Sequence, residues 1–322
     1  MVQHAMEGAV GALTVSVVIS AYTEERWDVL CDAVASVQAQ TRPAQQIIVA
    51  IDHNPVMLDR ARERWADGSV VVVENAGARG LSGARNAGIA AATGDIVAFI
   101  DDDAAAEPDW LARLAPVFDD PAVASAGGAL VPVWLDEQPG WFPEEFNWVV
   151  GCTYTGMPTT TAEIRNAIGA NMALRREALD AVGGFVSGIG RERGLPMGCE
   201  DTEIAIRVRQ RDPGQRIMYE PSAQVRHLVP AGRGTWTYFF RRCWAEGRSK
   251  AMLTTLVGRH DGLESERTYA TRTLPLGVLR GLRDAAGGDA YGVGRAAAIV
   301  GGLAVTAAGY GRGSLGRPAR PA

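Results

Sequence analysis

Three carboxylates stand side by side at Asp101, Asp102 and Asp103, directly after the apolar run Ile96, Val97, Ala98, Phe99 and Ile100. Adjacent like charges repel, and a bound cation or hydrogen bonds must offset that repulsion. A hard divalent ion such as Mg2+ or Mn2+ suits the first role, taking one or two carboxylates together with phosphate oxygens and water. The plainer alternative is an acidic loop ahead of a helix. Further along, Glu200 and Asp201 open the amphipathic segment "GCEDTEIAIRVRQR". Acids in that position balance a helix dipole, and Asp201 is also suited to take a proton as a general base. His227 closes the alternating stretch "SAQVRH", a place where a lone histidine commonly serves as a structural hydrogen-bonder.

The elements that must position these groups alternate. "VSVVIS" (15–20), "QIIVAID" (46–52), "SVVVVE" (69–74) and the run ending at Ile100 read as strands, the apolar ones buried on both faces of a parallel sheet. Between them lie helical segments at 25–40, with Val29, Leu30, Ala33, Val34 and Val37 on one face, at 57–65, and within "GLSGARNAGIAAATG". This βαβαβαβ order predicts right-handed crossovers and a doubly wound, mostly parallel α/β sheet. Ligands of such sheets lie outside the carboxyl ends of the strands, where Asp52 and the three aspartates fall. Beyond Trp110 the spacing predicts a helix (111–118), a strand (124–133), a tryptophan- and proline-rich excursion, then a strand and a helix ended by Gly183 and Gly184. "RIMYEPSAQVRHLV" reads as a strand pair. From about Thr235 the chain is helical, then rich in Gly, Ala and Arg with a frayed end.

The composition, 47% hydrophobic and 21% charged over 322 residues, is that of a globular chain with ample core. Cys31, Cys152, Cys199 and Cys243 are widely spaced with no CxxC pair, which predicts reduced thiols of a cytosolic protein instead of a disulfide frame or zinc site. The first residues lack a basic stretch followed by an apolar core, so no secretory signal is expected. Net charge is −5, unevenly spread: from Arg226 onward 15 basic residues face 6 acidic ones, a local +9 against −14 upstream. The basic end reads as a solvated tail or as a contact with anionic lipid or phosphate. Nucleic-acid binding is not expected, because no basic-aromatic module is present and the acidic half repels a phosphate backbone. No GxGxxG follows the first strand, as a nicotinamide dehydrogenase would need. There is no GK[ST], and Lys250 is the only lysine, which excludes a P-loop kinase. A nucleotidyltransferase would want a glycine-rich loop with Arg or Lys after strand one.

Taken in order, these segments resemble family 2 glycosyltransferases, whose fold is called GT-A, over roughly residues 14 to 250. "VVISAYTEE" is similar to that family's opening strand and loop, with Ala21 and Thr23 in place of the usual Pro and Asn. "AID" ending at Asp52, "GLSGARNAG", "FIDDD" and "GCEDTEIAIRVR" follow in the family's order. The resemblance implies an N-terminal tail (1–13), a nucleotide-sugar-binding half (14–125), an acceptor and catalytic half (126–235) and a helical, basic C-terminal appendage (236–322). It implies that Ala21, Tyr22 and Glu24 line the nucleotide pocket, and that Asp52 binds uracil or ribose. Gly80, Arg85 and Asn86 would sit against the nucleotide. Asp101 and Asp102 would face ribose and sugar, Asp103 with Asp101 and His227 would hold Mn2+ or Mg2+, and Asp201 beside Glu200 would be the base. Plainer roles exist for several: Tyr22 packing, Asp52 capping a turn, Arg85 pairing with a carboxylate. The implied activity is single displacement with inversion, from a UDP-sugar to an acceptor hydroxyl. A non-catalytic sugar- or membrane-binding protein on the same fold is the alternative from another class.

"YFFRRCWAEGRSKA" lacks the glutamine of the processive members, and the apolar run 296–311 is shorter than the ~20 residues of a membrane span, so one sugar per encounter is expected. The C-terminal region resembles a prokaryotic subgroup that extends lipid-linked glycans, including enzymes passing glucuronate from UDP-glucuronate to a glucosyl polyprenyl phosphate. Glucosyl or rhamnosyl transfer in cell-surface glycan or natural-product assembly is the other reading. Arg272, Arg280, Arg283 and Arg295 interleave with Leu274, Leu276, Val278, Leu279 and Leu282, a pattern for a basic amphipathic helix in the headgroup plane. This predicts a cytoplasmic enzyme, peripheral on the inner face of the cell membrane.

Overall fold

The structure is a computed structural model and describes residues 12–187, 198–258 and 264–315. Four parallel strands, β1 (Val15–Ala21), β2 (Gln46–Asp52), β3 (Val71–Asn75) and β4 (Ile96–Asp101), alternate with α1 (Trp27–Gln38), α2 (Pro55–Arg64) and α3 (Leu81–Ala91). A short β5 (Ala104–Ala106) and α4 (Trp110–Leu114) follow, then β6 (Val123–Trp134), β7 (Ala162–Glu163), β8 (Asn171–Arg175), α5 (Arg176–Val182), α6 (Glu200–Arg211) and β9 (Arg216–Val229). All these strands belong to one sheet in the order β3-β2-β1-β4-β8-β6-β9-β5, with β7 on β9. β1, β2, β3 and β4 pair in parallel, as the alternating sequence predicts. The antiparallel β8 then joins β4 to β6. Ser20 pairs with Asp101 in register, so the first strand's loop and the aspartate cluster open on the same edge.

The segment 216–229 is one long strand, not the strand pair expected. Pro221 cannot donate to a ladder, and it falls where the β6–β9 register shifts, between Gly128 opposite Glu220 and Leu130 opposite Val225. The buried Asn171 amide donates to the Ala129 and Ala223 carbonyls and accepts from Trp110 Nε1, so the irregularity keeps its hydrogen bonds. The helix expected at 25–40 begins instead at Trp27, after a 3-10 turn (Glu24–Arg26) capped by Thr23.

The C-terminal region is helical, as expected from Thr235 onward, and its described part reaches Leu315. It comprises α7 (Trp236–Val257), α8 (Glu264–Thr268), a π turn (Tyr269–Thr273), α9 (Leu274–Ala286) and α10 (Gly292–Leu315). A Cβ on Gly247 would lie 2.1 Å from the Thr306 carbonyl oxygen, and one on Gly309 would lie 2.4 Å from that of Trp244. Glycine therefore lets α7 and α10 touch backbone to backbone. The 24-residue α10 is long and apolar enough by length and composition to cross a membrane, which corrects the expectation drawn from 296–311. A third of its most apolar window is buried against the protein.

Two of the four arginines expected to face headgroups are otherwise engaged. Arg280 pairs with the buried Glu145, and Arg295 pairs with Asp284 and Asp289 while donating to the Gly140 carbonyl. Leu276, Leu279 and Leu282 remain exposed, as do Arg272 and Arg283. Residues 1–11 of the expected N-terminal tail, and residues 316–322 of the end expected to fray, lie outside the described residues. All four cysteines are free thiols, and burial pushes Cys152 and Cys243 up to about 12, which keeps them protonated and inert.

Candidate active site

Asp101 ends β4, and the turn to β5 carries Asp102 and Asp103 into the protein, where both are buried. The antiparallel β5–β9 pairing sets Ala104 opposite His227, which brings the imidazole beside the aspartates. His227 Nε2 lies 3.3 Å from Asp103 Oδ1, and on the ring's other side Cys152 Sγ is 3.8 Å from Nδ1. Gly151, at φ 84°, passes close to the same ring. Arg26 reaches Asp102 at 2.8 Å and Asp103 at 3.1 Å, while Arg233 lies 3.4 Å from Asp103. Burial alone would raise the Asp103 carboxyl. The His227 hydrogen bond and the Arg26 and Arg233 charges overcome it and hold the group below the usual carboxylate range. Asp102 is pushed up to about 7 by burial and by the Asp103 charge, with Arg26 opposing.

Asp101, Asp103 and His227 offer one ligand atom each, all within 4.8 Å of one another. Two carboxylates and an imidazole form a donor set suited to Mn2+, and with more water to Mg2+. The three residues singled out as metal ligands are thus brought together.

Glu200 and Asp201 open α6, which Cys199 enters at φ 79°. A non-glycine residue in that region is strained, and such strain concentrates at functional turns. Asp201 accepts from the Gly169 amide at 3.1 Å and from its neighbour Thr202 at 2.6 Å, which fixes the carboxylate's direction. The buried Arg85 sits between the halves: it donates to Asp101 and Glu200 at 3.2 Å each and to the Gly169 carbonyl at 3.0 Å. A cavity of about 920 Å³ is lined by Asp101, Arg85, Glu200, Asp201 and His227 together. Carboxylates 100 residues apart in sequence therefore share one cavity.

The other residues expected at a nucleotide lie on several elements. Asp52 ends β2 and accepts from Asn75 at 2.7 Å and from the Gly80 amide at 3.0 Å, with His53 Nδ1 at 2.9 Å. Gly80 adopts φ 119°, which favours glycine, as it enters α3. Tyr22 and Glu24 are exposed on the β1 loop, where Arg26 lies over the Tyr22 ring at 5.8 Å, and Ala21 is buried. The Asn86 side chain is engaged at both ends with the Phe185 backbone. Arg85 follows the plainer expectation, pairing with carboxylates. Sequence reasoning missed Arg26 and Arg233. The only available signal was their position, two residues after Glu24 and six after His227, since isolated arginines carry no pattern of their own.

The sequence profile described as "Glycosyl transferase family 2" matches residues 16–183. Over 76% of this chain and 78% of the relative, the sequence is 34% identical to a glucosyl-dolichyl phosphate glucuronosyltransferase of Haloferax volcanii. It is 28% identical to the succinoglycan biosynthesis protein ExoM of Rhizobium meliloti over 54% of this chain and 52% of that one. Among solved structures, a mannosyltransferase from Pyrobaculum calidifontis in complex with GDP-Man and Mn2+ superposes with a TM-score of 0.60 at 18% identity, covering 92% of this chain and 88% of that one. GalNAc-T7 with UDP, GalNAc and Mn2+ matches with a TM-score of 0.54 at 20% identity, over 81% of this chain and 55% of that one.

Proposed function

The chain belongs to glycosyl transferase family 2 and has the GT-A fold, and from that premise we propose that it transfers one sugar, with inversion, from a UDP-sugar to a hydroxyl of a lipid-linked glycan. The observation that carries this reading is the shared cavity, in which Asp101 and His227 face Asp201. UDP-glucuronate is the first donor to test, followed by UDP-glucose, because a relative 34% identical over 76% of this chain is named a glucosyl-dolichyl phosphate glucuronosyltransferase.

In this reading the acceptor oxygen attacks the anomeric carbon opposite the nucleotide. The bond from that carbon to the diphosphate oxygen breaks, and the acceptor proton passes to Asp201. The carboxylate is held for this by the Gly169 and Thr202 amides. A divalent cation on Asp101, Asp103 and His227 would supply positive charge to the leaving diphosphate. Arg26 and Arg233 add cations beside Asp103, and Asp52 with the Gly80 turn would receive the nucleoside. The exposed leucines of α9, flanked by Arg272 and Arg283, suit contact with an anionic leaflet, which would let a cytoplasmic enzyme reach a lipid-linked acceptor.

The test is a panel of nucleotide sugars scored for Mn2+-dependent hydrolysis and for transfer to a glucosyl alkyl phosphate. Turnover of one UDP-sugar that stops in EDTA is expected. Full activity in EDTA, or no turnover of any donor, would refute the proposal.

A further inference from the structure

The wall of the cavity away from the aspartates carries a second charged cluster, which the transfer step does not use. Lys250 on α7 lies 3.3 Å from Glu246 and 2.5 Å from Glu266. Arg165 makes two contacts with Glu266, at 2.8 and 2.9 Å, and Arg242 is 3.1 Å from Glu246. All five residues line the same cavity as Asp201. Three cations thus share a part-buried wall, where a cation attracts an anion more strongly than it would in open water.

The cluster's position relates it to the acceptor. The Gly198 amide donates to Ser249 on α7, and Cys199 Sγ lies 3.9 Å from Glu246 Oε1. Cys199 is two residues before Asp201, at most about 7 Å along the chain, so the cluster adjoins the turn that carries the base. On α10, Leu303, Ala307 and Tyr310 also line the cavity, and Leu303 is 40% exposed, so the apolar side of the cavity runs out to the protein surface. Base, cationic cluster and apolar wall thus occur together in one cavity. An amphipathic acceptor presents the matching groups in the order hydroxyl, anionic linkage, lipid.

Resting on the acceptor class named above, we infer that Arg165, Arg242 and Lys250 form a subsite for the phosphate ester that joins the acceptor sugar to its lipid. The subsite would place the hydroxyl at Asp201 by holding the linkage one sugar away.

The experiment compares two acceptors that share a sugar, glucosyl decyl phosphate and decyl glucoside, using the Mn2+-loaded enzyme and the donor found in the panel. Lys250→Met and Arg242→Gln should each raise KM for the phosphate-bearing acceptor about 10- to 100-fold, the loss expected for a hydrogen bond to a charged group. The KM for decyl glucoside and the rate of donor hydrolysis should not change. Glu266→Gln makes the opposite change, adding net positive charge, and should lower the KM for glucosyl decyl phosphate. Equal effects on both acceptors, or a rise in KM for Glu266→Gln, would assign the cluster to folding and overturn the inference.

Binding of decyl phosphate without any donor reads the subsite apart from transfer. Lost binding in Lys250→Met supports it even if the wild-type enzyme transfers nothing, an outcome that would refute the acceptor reading alone. Inorganic phosphate should compete weakly. If it binds as tightly as decyl phosphate, the lipid-linked source is overturned.

Discussion

Replacing Arg85 with methionine should cost the protein a large part of its stability, because one guanidinium joins the two halves. Arg85 is 2% exposed and donates to Asp101, Glu200 and the Gly169 carbonyl. Methionine keeps an apolar stem and removes the guanidinium, whose Cζ lies 5.9 and 5.4 Å from the ring centroids of Phe99 and Phe185, together with its charge and donors. Removing one partner of a buried ion pair costs about 3–5 kcal/mol. Whole domains are stable by about 5–15 kcal/mol, so this is a severe loss. With a melting entropy of about 2.1 cal/mol/K per residue, the 322-residue chain should lose about 4–7 °C in Tm. The assay is thermal unfolding followed by circular dichroism, with and without Mn2+. Arg85→Met/Glu200→Gln should recover more than half of the loss, since the second change removes one of the two carboxylates left facing each other. Arg85→Lys should be intermediate, a single ammonium being unable to span both carboxylates. An unchanged Tm in Arg85→Met, or no recovery in the double variant, would refute the bridging role.

Asp201→Asn should lower kcat by about 10²–10⁴-fold with donor affinity nearly unchanged, read from initial rates and UDP binding; a fall in affinity alone would place Asp201 in the donor site. Asp103→Ala should abolish transfer and Mn2+-dependent UDP binding, measured calorimetrically, while the far-ultraviolet spectrum stays native. Burial would raise the Glu266 carboxyl, but Lys250 and Arg165 hold it at about 2, below its ordinary 4.5. A depressed folded-state pKa contributes stability above the unfolded value and loses it as pH falls. About 3 kcal/mol should therefore disappear between pH ~4.5 and ~2, and Glu266→Gln should flatten that part of the denaturation profile. Anionic liposomes should sediment the enzyme at low salt and less so at ~0.5 M. Changing Leu276, Leu279 and Leu282 to Ser should abolish the effect without unfolding, whereas deleting α9 and α10 would expose the face of α7 that α10 covers.

Local patterns sufficed for the parallel half of the sheet. The apolar runs of β1, β2 and β4 alternate with helical segments, and period and order alone imply crossovers that put Asp52 and Asp101 at one edge. The family's motifs also marked Asp103, His227 and Asp201 from sequence, because each lies in a short run of distinctive residues. The two halves meet through contacts between residues far apart in the chain, and no local pattern encodes those. Asn86 lay in a recognisable motif, yet its amide is bonded at both ends to Phe185, a partner 99 residues away. Arg26 and Arg233 gained their place only when β5 paired with β9 and drew Asp103 toward them.

The packing of the Gly/Ala-rich end shows most clearly what composition could not reach. Glycine lowers helix propensity and looks loose in isolation, yet it permits the closest helix packing once a partner such as α7 is present. Sequence by itself determined the alternating strands β1 to β4 and the identity of the acidic residues at their ends, since both are written in local periodicity and spacing. Only the tertiary structure decided that Arg85 joins those carboxylates to Glu200, that Glu145 pairs with Arg280, and that Arg165, Arg242 and Lys250 share a cavity with Asp201. Each of those depends on which distant side chains share a desolvated space, and electrostatics there is set by distance in three dimensions.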